Sequence, residues 1–227
     1  MIKRISFAPG DAGAGAGVDA WRAAVDGLAD APPDARPARV AVCTSLPDLT
    51  DGEPEHHAIG LEWFTDVAQL DRYDAWTGPG GAAARGARRV LVADEVVLRG
   101  ADWLERRWRQ GGAKVKHMAF ASRAVGLTAA EFSERWKRHA GSVGRAGASA
   151  LVVPDHARGQ AYVQNHPLPR SSGDWAYDAV NEVYFDDVDG LRARIDWFRE
   201  NVDPTADDLF RASWFLAVRE DVLFAGP

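Results

Sequence analysis

Apolar positions along this chain switch between two periods, and the switches come in the same order twice. Residues 2–8, 39–46, 57–64 and 89–98 alternate or run apolar as strands do, while 18–29 and 67–76 carry their apolar side chains at helical spacing, as at Trp21, Val25 and Leu28. The order predicted for the first half is βαββαβ. Strands at 114–121, 158–165, 177–185 and 212–224, with helices at 128–140 and 188–200, repeat it in the second half. Thr128 and Glu131 form a T-x-x-E capping box at the start of the first of these helices, and Gly141 supplies its stop. Residues 101–112 read as a connector with a short helix and a Gly-Gly hinge. The glycine-rich stretches 10–17 and 77–87 read as loops.

The repetition extends to residue identity. Residues 58–76 lie without a gap on 179–197 at a constant offset of 121, and six of the 19 positions are identical: Ala58/Ala179, Phe64/Phe185, Asp66/Asp187, Val67/Val188, Leu70/Leu191 and Trp76/Trp197. A βαββαβ unit makes a four-stranded antiparallel sheet with helices on one face. The opposite face must be covered, and a second such sheet can cover it. The expected fold is therefore α+β: two repeats closing into an intramolecular α+β barrel, a pseudo-dimer, with helices outside and a cavity between the sheets. Residues 1–100 form a degenerate repeat, 101–113 the linker and 114–227 the repeat carrying the site.

Strand parity sorts side chains by face. Along 158–166 the odd positions Gly159, Ala161 and Val163 suit packing under helices, whereas Gln160, Tyr162, Gln164 and His166 form a polar line expected to face the cavity. On the next strand Ala179, Val183 and Phe185 face the helices, and Asp178, Glu182 and Tyr184 face the cavity. A solvent-facing sheet alternates in the same way. The first half argues for a cavity, because Leu61 matches Glu182, Cys43 or Thr44 matches Tyr162, and Leu46 or Pro47 matches His166. Helix 128–140 places Phe132, Trp136, His139 and Ala140 on one inward stripe. An acid beside an imidazole and a phenol is a proton-handling arrangement.

Charge and composition then remove whole classes. A net charge of −6 and a pI near 5.5 with no basic stripe exclude nucleic acid as the expected partner. Cys43, the one cysteine, sits in an apolar strand and reads as a core residue of a protein kept in a reducing cytoplasm. No apolar stretch is long enough for a signal peptide or a span, so no membrane partner is expected. His56 and His57 lack a third metal ligand at suitable spacing. The 13–17 stretch is G-x-G-x-G without the parallel alternation of a dinucleotide fold. No metal and no cofactor is expected.

The stretches KVKHMAFASR, GLTAAEFSERWKRHA, YVQNHP and WAYDAVNEVYFDD in the second half together resemble the EthD family of the dimeric α+β barrel superfamily. That resemblance implies ferredoxin-like repeats around a central pocket. Family members are linked to ether-degradation gene clusters and to fungal pigment polyketide pathways, there as dehydratase- or decarboxylase-like enzymes. The positions it carries over are Trp136, His139, Tyr162, His166, Asp178 and Glu182. The expected function is cofactor-independent acid/base catalysis, of lyase/dehydratase or cyclase/isomerase type, on a small oxygenated organic molecule. In it His139 or His166 is the general acid or base and Asp178 or Glu182 orients it. Trp136, Tyr162, Gln164, Asn165 and Tyr184 bind substrate. Two alternatives stand beside it: a non-catalytic protein binding a hydrophobic ligand, and a haem-binding barrel with His139 as axial ligand. Assembly into a homodimer of pseudo-dimers is a further open reading.

Overall fold

Eight strands close on themselves into one antiparallel barrel in the computed structural model, which describes residues 1–8, 14–50, 52–78, 89–111, 113–138, 142–143, 151–170, 173–202 and 208–226. The first half contributes β1 (Ile2–Phe7), α1 (Ala14–Asp26), β2 (Arg39–Ser45), β3 (Ala58–Phe64), α2 (Val67–Thr77) and β4 (Arg89–Arg99). Helix α3 (Ala101–Gln110) connects it to β5 (Lys114–Arg123) and α4 (Ala129–Lys137). The short pair β6 (Ser142–Val143) and β7 (Leu151–Val152), the single turn α5 (Asp155–Arg158), β8 (Ala161–Pro167), β9 (Ala179–Phe185), α6 (Val188–Asn201) and β10 (Phe210–Ala225) follow. Around the barrel the order is β4-β1-β3-β2-β10-β5-β9-β8 and back to β4. Each half thus supplies four neighbouring strands in the same fourth-first-third-second order. No helix among the described residues is long and apolar enough to cross a membrane.

Local chemistry accounts for the helix starts. Asp66 accepts from the Gln69 amide at the head of α2, and Asp187 accepts from the Gly190 amide at the head of α6. Both bonds of the Thr128–Glu131 capping box are present at α4. Several boundaries differ from the sequence reading, among them the end of α4, at Lys137 rather than 140. Arg158 ends a helical turn, and Gly159 at φ +73° breaks the backbone before β8 begins at Ala161. Helix α1 starts at Ala14, inside the stretch read as a loop, and passes into a 3-10 turn at Gly27–Asp30.

The interior is filled by side chains, as eight strands favour. Ile5, Phe7, Ile59, Leu61, Met118, Phe120, Val180 and Leu216 form an apolar core at one end. At the other end charged and hydrogen-bonded groups meet, closed off by α3 through Trp103, Leu104 and Trp108. Outside, α1, the 3-10 turn after it and α2 cover the first sheet through Trp21, Leu28, Leu70 and Tyr73. Helix α4 covers Ala121 and Ala179 with Phe132 and Trp136, and α6 covers Val183, Phe185 and Ala217 with Leu191 and Ile195.

Candidate functional site

The residues singled out from sequence fall into three places. Glu182, Tyr184 and Asn165 lie inside the barrel. Tyr162, Gln164 and His166 lie on its outer wall with Trp136. Asp178 sits at the barrel rim, where it accepts from the Arg123 amide and pairs with its guanidinium. His139 lies outside the described residues.

The face expected for β8 is corrected by its register. Val163 is opposite Glu182, Ala161 opposite Tyr184 and Asn165 opposite Glu95, so these three point inward. Tyr162, Gln164 and His166 therefore point outward, toward α4 and α6. Polarity misassigned the strand because the barrel interior at this end is itself charged, and small residues are what fit beside Tyr184 and the α3 tryptophans.

That inner cluster is built from both halves. Lys3 Nζ donates to Glu182 Oε1 at 2.6 Å and pairs with Glu95, while Lys116 Nζ donates to Glu182 Oε2 at 2.5 Å and to Glu220 Oε2 at 2.6 Å. Tyr184 donates to Glu182 at 3.0 Å, and Asn165 Nδ2 donates to Glu182 Oε1 at 2.8 Å. Glu182, Lys3, Lys116 and Tyr184 have no solvent exposure. Burial acts to raise the Glu182 carboxyl, but Lys116 and Lys3 outweigh it and hold it well below the usual carboxylate range. Burial beside Glu182 and Glu220 keeps the Tyr184 phenol protonated far above its ordinary value. Lys3, Lys116, Glu95 and Glu220 escaped the sequence reading. The repeat held a signal for them, since Lys3/Lys116 and Glu95/Glu220 occupy matching register positions.

The outer wall holds a different arrangement. His166 Nδ1 lies 3.2 Å from Ser133 Oγ, and its Nε2 lies 3.1 Å from Gln164 Oε1. Gln164 spends its own Nε2 on the Trp136 carbonyl and the Tyr162 hydroxyl, both at 3.3 Å. With the amide fixed that way round, Gln164 Oε1 accepts from His166 Nε2–H, and Nδ1 keeps its lone pair toward the Ser133 hydroxyl. The His166 ring packs against Trp136 at 4.6 Å. Burial, then Lys137, lowers its pKa, so the imidazole is neutral at pH 7. Ser133 was missed in sequence because it lies beside the Phe132–Trp136 stripe of the helix and is only half-buried.

An open strip runs beside this line. Phe215, Ala119, Asn181 and Gln164 form one cross-strand row on the outer face of β10, β5, β9 and β8. Helices α4 and α6 cover the rows on either side, yet Phe215 is 41% exposed and Ala119 and Asn181 are half-buried. In the matching row of the first half, Val90, Ser6, Gly60 and Val42, the last three are buried and Val90 is half-buried. There the Trp21 ring lies on Gly60 so tightly that a Cβ would sit 1.8 Å from it. One half is plugged and the other is not.

No protein-family model matches the chain, and no curated protein matches it. Among solved structures, one from Lactobacillus acidophilus NCFM described as a "putative monooxygenase" is similar over 99% of this chain and 97% of its own, at 8% identity and a TM-score of 0.44. A likeness at that level carries no argument about chemistry.

Proposed function

We propose that the chain is a small-molecule enzyme that works in the strip between α4 and α6, using His166 as general base or acid on an oxygenated organic substrate. The observation carrying this reading is the hydrogen-bonded line Ser133–His166–Gln164–Tyr162, which borders a row that, among the described residues, is more open than its first-half counterpart, where Trp21 lies on Gly60. A neutral imidazole with its Nδ1 lone pair toward a hydroxyl can take a proton through that hydroxyl. Asn181 and Tyr162 supply hydrogen bonds for a carbonyl or enolate oxygen. Proton transfer of this kind serves a lyase/dehydratase or an isomerase and requires no cofactor, in keeping with the EthD-like residues Trp136, Tyr162 and His166. The repeated strand order supports reading 1–100 and 114–227 as two repeats joined by 101–113, with the site in the second.

Glu182, Tyr184 and Asn165 are assigned to holding the barrel together. Both oxygens of Glu182 are bonded and out of reach of solvent. Asp178 is assigned to the rim through Arg123. A second reading, a non-catalytic binder, is favoured by the aromatic flank of the strip at Phe215 and Phe198.

Turnover or deuterium exchange over a panel of hydroxylated aromatic and 1,3-dicarbonyl compounds tests the reading. His166→Ala is expected to lower the rate by about 10²–10⁴-fold. Equal rates in His166→Ala and wild type would overturn it. Ligand retention in native mass spectrometry with no turnover by either protein favours the binder.

A further inference from the structure

Arg194, on α6, is 9% exposed and carries a charge that no described carboxylate neutralises. Its Nε donates to His117 Nδ1 at 3.2 Å and its Nη1 to the Ala157 carbonyl at 2.9 Å, both uncharged acceptors. Its guanidinium lies 4.3 Å over the Phe198 ring. His117 brings no charge, because burial and then Arg194 hold it well below its ordinary pKa. Arg99 adds a second positive charge nearby and donates to the Gly159 and Arg158 carbonyls. Burial pulls the Arg194 pKa down to about 10. A buried cation without a counter-charge is strongly unfavourable, and the two bonds Arg194 makes through Nε and Nη1 supply none.

Tyr162 completes the arrangement. It shares a cross-strand row with Val183 and His117, next to the open row, and lies within electrostatic reach of Arg194. Its hydroxyl oxygen accepts from Gln164 Nε2 at 3.3 Å, with the Asn181 side chain close by. With that oxygen used as acceptor, the phenolic proton is free to be donated. An O–H and a guanidinium N–H beside an uncompensated cation are what a carboxylate requires.

We propose that Arg194 and the Tyr162 hydroxyl, backed by Arg99, form an anion-recognising end to the strip, and that the molecule bound there carries a carboxylate. This deepens the functional reading above and rests on it for the place of binding. The Ser133–His166–Gln164 line ends at Tyr162, so an anchored carboxylate directs the rest of the molecule along the strip toward His166.

Calorimetric titration of the full chain with benzoate and with benzamide, its neutral counterpart, tests the proposal. Benzoate is expected to bind at least about tenfold more tightly, a preference that Arg194→Gln abolishes without weakening benzamide and that Arg194→Lys partly keeps. Equal affinities in the wild type overturn the anion site while leaving the strip as a binding place. A preference that survives Arg194→Gln removes Arg194 from it. If the wild type binds neither compound, this proposal and the strip reading both fall. Should Arg194→Gln fail to fold, the wild-type preference and its weakening by salt decide the matter.

Discussion

His166 owes its protonation state to burial, and it shares that property with His56 and His117. All three are held below the ordinary imidazole value of 6.5, so the unfolded chain binds more protons than the folded one as the pH falls below that value. Stability from these groups is complete above pH 6.5 and is lost on acidification toward their folded values. The urea midpoint is therefore expected to hold between pH 8 and 7 and to fall between pH 6.5 and 5, with a smaller fall in His117→Gln. A flat midpoint across that range would contradict the neutral assignment. At this scale the sequence made Tyr162, Gln164 and His166 legible as one polar line, because parity along a strand is rigid. It did not tell which side of the barrel the line faces. That depended on Lys3, Lys116 and Glu220, polar residues from distant strands that make the interior as polar as the exterior.

At the scale of elements, the difference between the halves comes down to Trp21 on α1 and the glycine beneath it. Trp21 is 2% exposed and rests on Gly60, where the second half has Asn181. Trp21→Ala is expected to cost about 3–5 kcal/mol, as removal of a buried indole does, and to open the first-half row to solvent. Urea unfolding measures the loss, and a change under about 1 kcal/mol would show that the ring contributes little packing. The helix heads were legible because capping is local: Thr128–Glu131, Asp66 and Asp187 are each three residues from their partner amides. The start of β8 was not, since Arg158 reads equally well as strand until Gly159 turns the chain.

Across the whole molecule, the inner ion network follows the repeat except at one position. Lys3 pairs with Glu95 within the first half and Lys116 with Glu220 within the second. Glu182 then bridges both lysines, and its counterpart in the first half is Leu61. The bridge joins the two halves through one carboxylate, so Glu182→Ala is expected to lower stability by about 3–5 kcal/mol. The two halves should still unfold in a single urea transition. Two separate transitions in the wild type would contradict a barrel that closes across both halves. Barrel closure was legible from the doubled βαββαβ order, because each sheet needs its second face covered. The filled interior was not, since the side chains that fill it come from all eight strands.

The contrast between an open strip in one half and a plugged row in the other is tested most directly by thiol reactivity. Cys43 is the chain's one cysteine, is fully buried, and has its thiol pushed up to about 12 by burial, so a small thiol reagent is expected to leave the native protein untouched. Ser6→Cys and Ala119→Cys place a thiol at equivalent positions of the two rows. Rapid labelling of Ala119→Cys with Ser6→Cys silent, and slower labelling of Ala119→Cys when benzoate is present, is the expected result. Ala119→Cys as unreactive as Ser6→Cys would contradict the strip and the site built on it.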